Sequence, residues 1–332
     1  MVAAEDTLEL MSPQKEHAEQ EGDDREAHAE AAVPAGASQQ AERYVVVVAA
    51  FAAIGGMLFG YDLGIISGIL AMPNFLDVMW PGSADDEELV DPLEEGFITT
   101  AFSIGCMLGA TPFAAGRLMD ALGRRVAIIS AAVIFSLSGL MQAASSALGP
   151  LYVARCVSGV AVGILSNVVP VYQSELAPSH VRGTLVGLFQ LAITFGIMVA
   201  FWINFALAPL PSGWRLALAL QAVPGAFLAV GMLGLPASPR WLALKGRLPE
   251  ARAVLLRVRA SSSVVDAEMA EIVASLRPAE DDFASDAGGA EGRAGAGGCA
   301  EIARERTPRR LVLTGVALQL LQQLSGIHFL TH

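Results

Sequence analysis

The stretch Tyr44–Leu70 reads YVVVVAAFAAIGGMLFGYDLGIISGIL. It holds one charged residue, Asp62, and no proline. About 20 apolar residues are enough to cross ~30 Å of hydrocarbon as a helix, so the run predicts a membrane span with a carboxylate inside it. Working outward, six further stretches have the same character, near residues 96–115, 126–146, 150–171, 184–205, 214–235 and 311–332. The last is the weakest, diluted by Gln319, Gln322, Gln323, Ser325, His328 and Thr331. Composition agrees. Of 332 residues, 54% are hydrophobic and only 16% charged, too few charges to cover the surface of a soluble chain. The expected class is an all-α, multi-span membrane protein.

The net charge of −12 belongs mostly to one end. Residues 1–42 hold eleven acidic side chains against two basic ones, leaving only −3 for the other 290 residues. That tail has neither a basic start nor an apolar run, so it does not read as a signal peptide; residues 1–43 are expected to form a disordered, cytosolic extension. Nucleic acid is excluded as a partner by the sign of the charge. The lysines and arginines are one-sided. None of the 21 falls in 71–95, 147–149 or 206–213, whereas Arg43, Arg117, Arg124, Arg125 and Arg182 flank the opposite ends of the spans and twelve more lie between Arg240 and Arg310. Positive charge stays on the cytosolic side, which predicts a cytosolic amino terminus. The segment 237–310 is then a cytosolic linker, with short amphipathic helices over 239–259 and 264–277 and a Gly/Ala-rich run over 284–300. Cys106, Cys156 and Cys299 are scattered and form neither a disulfide framework nor a metal site. No cofactor or metal is expected.

Ionisable residues inside a span are costly and mark function by default. Asp62 lies about 12 Å from the outer end of its span and Arg155 roughly 8 Å into the fourth, at 1.5 Å per residue, so the two are placed to meet. Pairing favours the charged carboxylate; removing the partner in an apolar span favours the protonated one. Two readings fit: a proton-coupling switch, or a static pair that fixes helix packing. Gly159 and Gly163, four and eight residues beyond Arg155, complete a smooth face for close helix contact. Between the second and third spans runs Gly116–Arg125 (GRLMDALGRR), either a structured hydrogen-bonding turn or merely a basic loop. After the fourth comes Pro170–Gly183 (PVYQSELAPSHVRG), where Glu175 and Arg182 are expected to pair.

Taken with Phe59–Gly68 (FGYDLGIISG), Pro236–Leu242 (PASPRWL) and Gln322–Ile327 (QQLSGI), these pieces resemble the sugar porter family of the major facilitator superfamily, in family order and spacing over about residues 44–332. The wording of Phe201–Asn204 and Leu218–Pro224 is most similar to fungal members. The resemblance implies a six-helix amino-terminal half over 44–236, the cytosolic linker, and the start of a seventh helix over 311–332. It implies sugar contacts from Gln190, Gln322, Gln323 and Phe59, proton coupling by Asp62 and Arg155, and a cytosolic latch from Arg117, Asp120, Arg124, Arg125, Glu175, Arg182 and Arg240. Amides suit sugar hydroxyls because each offers a donor and an acceptor.

Two positions depart from the family pattern: Ala237 stands where the family has glutamate, and His328 where it has asparagine. The family has twelve spans in two halves with substrate between them, so residues 1–332 are expected to be a fragment that does not transport alone. The implied function is passage of a hexose or related polyol, with or without protons, across the lipid bilayer, with the plasma membrane as the expected location. A sugar sensor or regulatory fragment is the alternative. No His-Glu-x-x-His, Gly-x-Ser-x-Gly or nucleotide loop supports an enzyme.

Overall fold

The computed structural model describes residues 35–81, 90–178, 180–259, 261–286 and Thr314. The acidic tail up to residue 34, the Gly/Ala-rich run from residue 287 and, apart from Thr314, the seventh span with Gln322, Gln323 and His328 lie outside the described residues. The described residues up to Val273 make one compact unit, and those from Ala274 onward count separately.

The described elements are helices. The first span is α1 (Ala35–Ala52) followed by α2 (Ile54–Leu70), and α3 (Pro73–Met79) sits in the loop that follows. The second is α4 (Pro92–Gly109), then a five-residue π turn at Pro112–Gly116 and the short α5 (Arg117–Leu122). Next come α6 (Arg124–Ala144), α7 (Leu148–Leu176) and α8 (Arg182–Leu207), and the sixth span is α9 (Gly213–Leu220) with α10 (Ala222–Met232). Beyond it lie α11 (Pro239–Leu244), α12 (Leu248–Val258) and α13 (Ser262–Asp286). Among the described residues, five spans are long and apolar enough to cross a membrane outright, and α4 with the Pro112–Leu122 segment makes a sixth that bends by 51°. The sequence predicts six spans here, and their centres agree.

The bend has a local cause. Pro112 has no N–H to continue the helical ladder and forces the residue before it out of the helical region. Thr111 accordingly sits at φ −63°, ψ 151°, and its hydroxyl oxygen accepts a bond from the Ala114 N–H, starting a new turn. The 71–95 loop also holds more structure than its sequence suggests. Pro73 opens α3, and Phe75, fully buried, meets the Trp214 ring edge-on at 5.2 Å.

Two helix pairs set the frame: α2 lies along α8, and α4 along α7. Both contacts run backbone to backbone through glycine. A Cβ on Gly60 would overlap the Ile193 carbonyl, and one on Gly159 would overlap that of Phe102 while standing 2.9 Å from the Cys106 nitrogen. In a bilayer, where lipid tails are as apolar as leucine, such close van der Waals contact is a main source of helix association. The face predicted from Arg155, Gly159 and Gly163 is this contact. Around it, α6 packs on α7 and α10 packs on α6, burying Phe135, Leu165, Val169 and Leu228.

Candidate functional site

The frame brings Asp62 of α2 and Arg155 of α7 together in the core. Arg155 Nη1 donates to Asp62 Oδ2 at 2.7 Å, and both side chains are fully buried. A charge-assisted bond of this length is strong, and it must be, because desolvating two ions costs several kcal/mol each. Supporting groups surround the guanidinium: Nε points to the Ile98 carbonyl at 3.5 Å, and the Phe102 ring lies 4.7 Å from Cζ. Phe102 in turn contacts the Phe59 ring at 6.3 Å between centroids. Phe59, the expected sugar-stacking aromatic, is therefore one ring away from the ion pair. Tyr61 beside Asp62 is fixed separately, its hydroxyl donating to the Ala217 carbonyl at 2.9 Å.

Two further buried amides belong to the polar interior. Gln142 of α6 neighbours the Asp62 carboxylate, and Gln221 joins α9 to α10; neither amide closes a hydrogen bond to the described residues. An amide inside an apolar span is a visible signal, yet sequence reasoning missed both. Gln190 of α8 is exposed, its backbone carbonyl accepting from the Thr194 hydroxyl at 3.3 Å.

At the other end of the spans a second charged group assembles around Arg124. Gly123, at φ +86°, allows the sharp turn from α5 into α6, and a side chain there would also meet the Trp241 ring at 2.9 Å. Arg124 then reaches Glu175 at 3.1 Å and Asp120 at 3.8 Å, and donates to the Met119 carbonyl at 3.2 Å. Arg125 caps the end of α10, donating to the carbonyls of Met232 (3.0 Å) and Leu233. Trp241 Nε1 donates to the Asp120 carbonyl at 3.2 Å.

Asp120, Arg124, Arg125 and Glu175 are thus brought together, but the rest of the expected latch is not. Arg117 lies over the Phe113 ring at 5.1 Å. Arg182 and Arg240 are exposed and form no ion pair among the described residues. The expected Glu175–Arg182 pair is corrected: α7 runs helically through Glu175 and holds it against the start of α6, while Arg182 opens α8 beyond a turn.

Several tethers here were not foreseen. Tyr172 donates to the Pro236 carbonyl at 2.7 Å and Gln173 to the Ala49 carbonyl at 2.9 Å, joining α7 to both neighbouring chain segments. Both lie in the quoted PVYQSELAPSHVRG stretch, so the signal was available. Arg259 donates to the Leu176 carbonyl at 2.9 Å and to both oxygens of Glu268 at 2.9 and 3.0 Å. Nothing in the spacing of those three residues announces it.

Six spans, two pairs of them joined closely through glycine, an ion pair buried in their core and a charged cluster at one end describe a multi-span helical membrane protein with a polar interior. The model of the family described as "Sugar (and other) transporter" matches residues 48–332, and the chain belongs to that family. It is 33% identical over 290 residues to the arabinose-proton symporter of Escherichia coli K12, covering 87% of this chain and 55% of that one. It is 38% identical over 233 residues to the glucose transporter GlcP of Staphylococcus epidermidis, covering 70% of this chain and 48% of that one. Among solved structures, the xylose transporter XylE of E. coli in a partially occluded inward-open conformation superposes with a TM-score of 0.64 at 27% identity, covering 71% of this chain and 60% of that one. The chain thus spans about half the length of the curated relatives it matches. The fold is that of a major facilitator transporter, and the relatives are transporters rather than enzymes.

Proposed function

We infer that this chain supplies the amino-terminal half of a sugar transporter that works by alternating access and couples sugar to protons. The observation that carries the reading is the Asp62–Arg155 pair: two ions, fully buried at 2.7 Å in the middle of apolar helices. Apolar side chains of similar volume would hold those helices at least as well, so a pair kept there has work to do. With Arg155 engaged, Asp62 is a carboxylate; when a conformational change withdraws Arg155, the isolated carboxylate takes a proton to shed its charge. Phe102, in contact with both Arg155 and Phe59, links sugar stacking on Phe59 to the position of the guanidinium.

In this scheme Phe59, Gln190, Gln322 and Gln323 hold the sugar, with a hexose as the first substrate to test. Arg117, Asp120, Arg124, Arg125, Glu175, Arg182 and Arg240 form the latch at the arginine-rich end. That end is cytosolic, with the amino terminus on the same side and the plasma membrane as the site of action. The relatives' names support the class: an arabinose-proton symporter, a galactose-proton symporter and an H(+)/hexose cotransporter.

The test is a chimera in which residues 48–332 replace the matching stretch of the E. coli arabinose-proton symporter. It should accumulate radiolabelled sugar in proteoliposomes under an inward proton gradient. Asp62→Asn should abolish accumulation while sugar binding persists. Residues 1–332 alone should give no saturable uptake, because alternating access needs two halves around a central site. A chimera that inserts and binds sugar, yet concentrates it equally well with Asn at position 62, would refute the coupling role.

A further inference from the structure

A cavity of about 540 Å³ opens at the arginine-rich end, between the start of α6, the end of α10 and the helices α11 and α12. Its wall holds four arginines, Arg124, Arg125, Arg247 and Arg257, against a single carboxylate, Glu250. Two of the four keep positive charge to spare. Arg257 is exposed on α12 and has no ion pair among the described residues, and Arg125 is held only by carbonyls, which do not neutralise it. Arg124 pairs with Glu175 and borders Asp120, yet its Nε is buried without a hydrogen-bond partner. Only Arg247 is fully matched, its two nitrogens meeting both Glu250 oxygens at 2.7 and 2.6 Å. Ala237, where the sugar porter pattern carries a glutamate, also lines the cavity and adds no charge.

A concave site with this excess of guanidinium suits a phosphate, whose oxygens accept paired N–H donors. Its volume falls within the range of small-ligand pockets and accommodates a phosphorylated inositol ring. The rim says where the phosphate comes from. Leu122, Val126 and Leu233 line the cavity and are 46%, 42% and 59% exposed; Val126 lies in the first turn of α6 and Leu233 immediately follows α10. A soluble anion leaves these side chains unused, whereas a lipid anchored by its headgroup lays its acyl chains against them. Trp241, which lines the same cavity, is of the type that settles at the headgroup level.

We propose that this cavity binds the phosphorylated headgroup of an anionic phospholipid from the adjacent leaflet. The site needs only that α6 and α10 span the bilayer, and it stands apart from the sugar and proton reading. Occupancy would bridge α12 to the ends of the third and sixth spans, bracing the charged end of the half.

The experiment is lipid binding to the purified full chain in detergent, measured by native mass spectrometry with phosphatidylinositol 4-phosphate titrated against phosphatidylcholine. One phosphoinositide should be retained per chain in preference to phosphatidylcholine. At about fivefold for each basic residue near a membrane surface, Arg247→Gln with Arg257→Gln should weaken binding by about 25-fold. Ala237→Glu should weaken it by about fivefold, and Glu250→Gln should tighten it by a similar factor. The gain in the last variant separates a specific effect from loss of fold. Equal retention of phosphatidylcholine, or insensitivity to both Ala237→Glu and Glu250→Gln, would overturn the site. Inositol 1,4-bisphosphate or inorganic phosphate binding as tightly as the lipid would overturn the lipid source.

Discussion

Replacing Asp62 by asparagine leaves the shape of the core unchanged and removes one charge from a pair held at 2.7 Å with no solvent exposure on either side. What remains around the Arg155 guanidinium is the Ile98 carbonyl at 3.5 Å, the face of Phe102 and a neutral amide. None of these neutralises a cation, and arginine cannot shed its proton. Breaking a buried pair from one side costs about 3–5 kcal/mol. At roughly 2–4 °C per kcal/mol for a chain of this size, Asp62→Asn should lower the melting temperature in detergent by about 6–20 °C. The reverse change, Arg155→Gln, should cost less, because the stranded carboxylate can take up a proton and become neutral. The double variant carries neither charge and should be more stable than Asp62→Asn alone, with a coupling energy of about 1–3 kcal/mol in the cycle. The assay is thermal unfolding followed by tryptophan fluorescence, with all four proteins in the same detergent. Strict additivity of the two single changes, or a shift under 2 °C for Asp62→Asn, would show that the charges are not coupled as argued and would remove the basis for a switch.

Gly159→Val should separate α4 from α7, since a Cβ there collides with the Phe102 carbonyl and stands 3.0 Å from the Gly105 Cα; a loss of at least about 2 kcal/mol is expected. Gly149→Val, on the same helix with nothing within 4 Å, is the control that should melt like the parent. Glu175→Gln weakens the 3.1 Å bond to Arg124; a bond between charged groups is worth about 1.5–3 kcal/mol, so in the symporter chimera the state open at this end should gain about tenfold in population, read by cysteine accessibility there. For sidedness, a membrane-impermeant thiol reagent on intact cells should label Asn74→Cys in α3 and leave Ser263→Cys in α13 untouched; the opposite pattern would invert the assigned topology.

Much of this protein was legible in one dimension. A membrane-spanning helix satisfies its own backbone, so its existence depends on a local run of apolar residues, and six such runs were visible before any packing was known. Asp62 and Arg155 stood out for the same reason: a charge in an apolar run is anomalous wherever its partner lies. Their meeting at similar depth followed from 1.5 Å per residue. The glycines of α7 also announced themselves, because small residues repeated every fourth position lie on one helix face.

Partner choice was decided only in three dimensions. Glu175 has Arg182 seven residues away and Arg124 fifty-one residues away, yet it binds Arg124, because the orientation of α7 against α6 settles which guanidinium it faces. The burial of Phe75 under Trp214 and the tie from Arg259 to the end of α7 likewise depend on neighbours far along the chain. So does the cavity between α6, α10 and α12, whose arginines come from stretches more than a hundred residues apart. Sequence alone determined which segments enter the bilayer and which charges do not belong there, since both are set by transfer from water to hydrocarbon, residue by residue. Tertiary structure decided which charges share a site, since that depends on helix rotation and tilt, and these are set by which glycine face packs against which neighbour, something no single segment encodes.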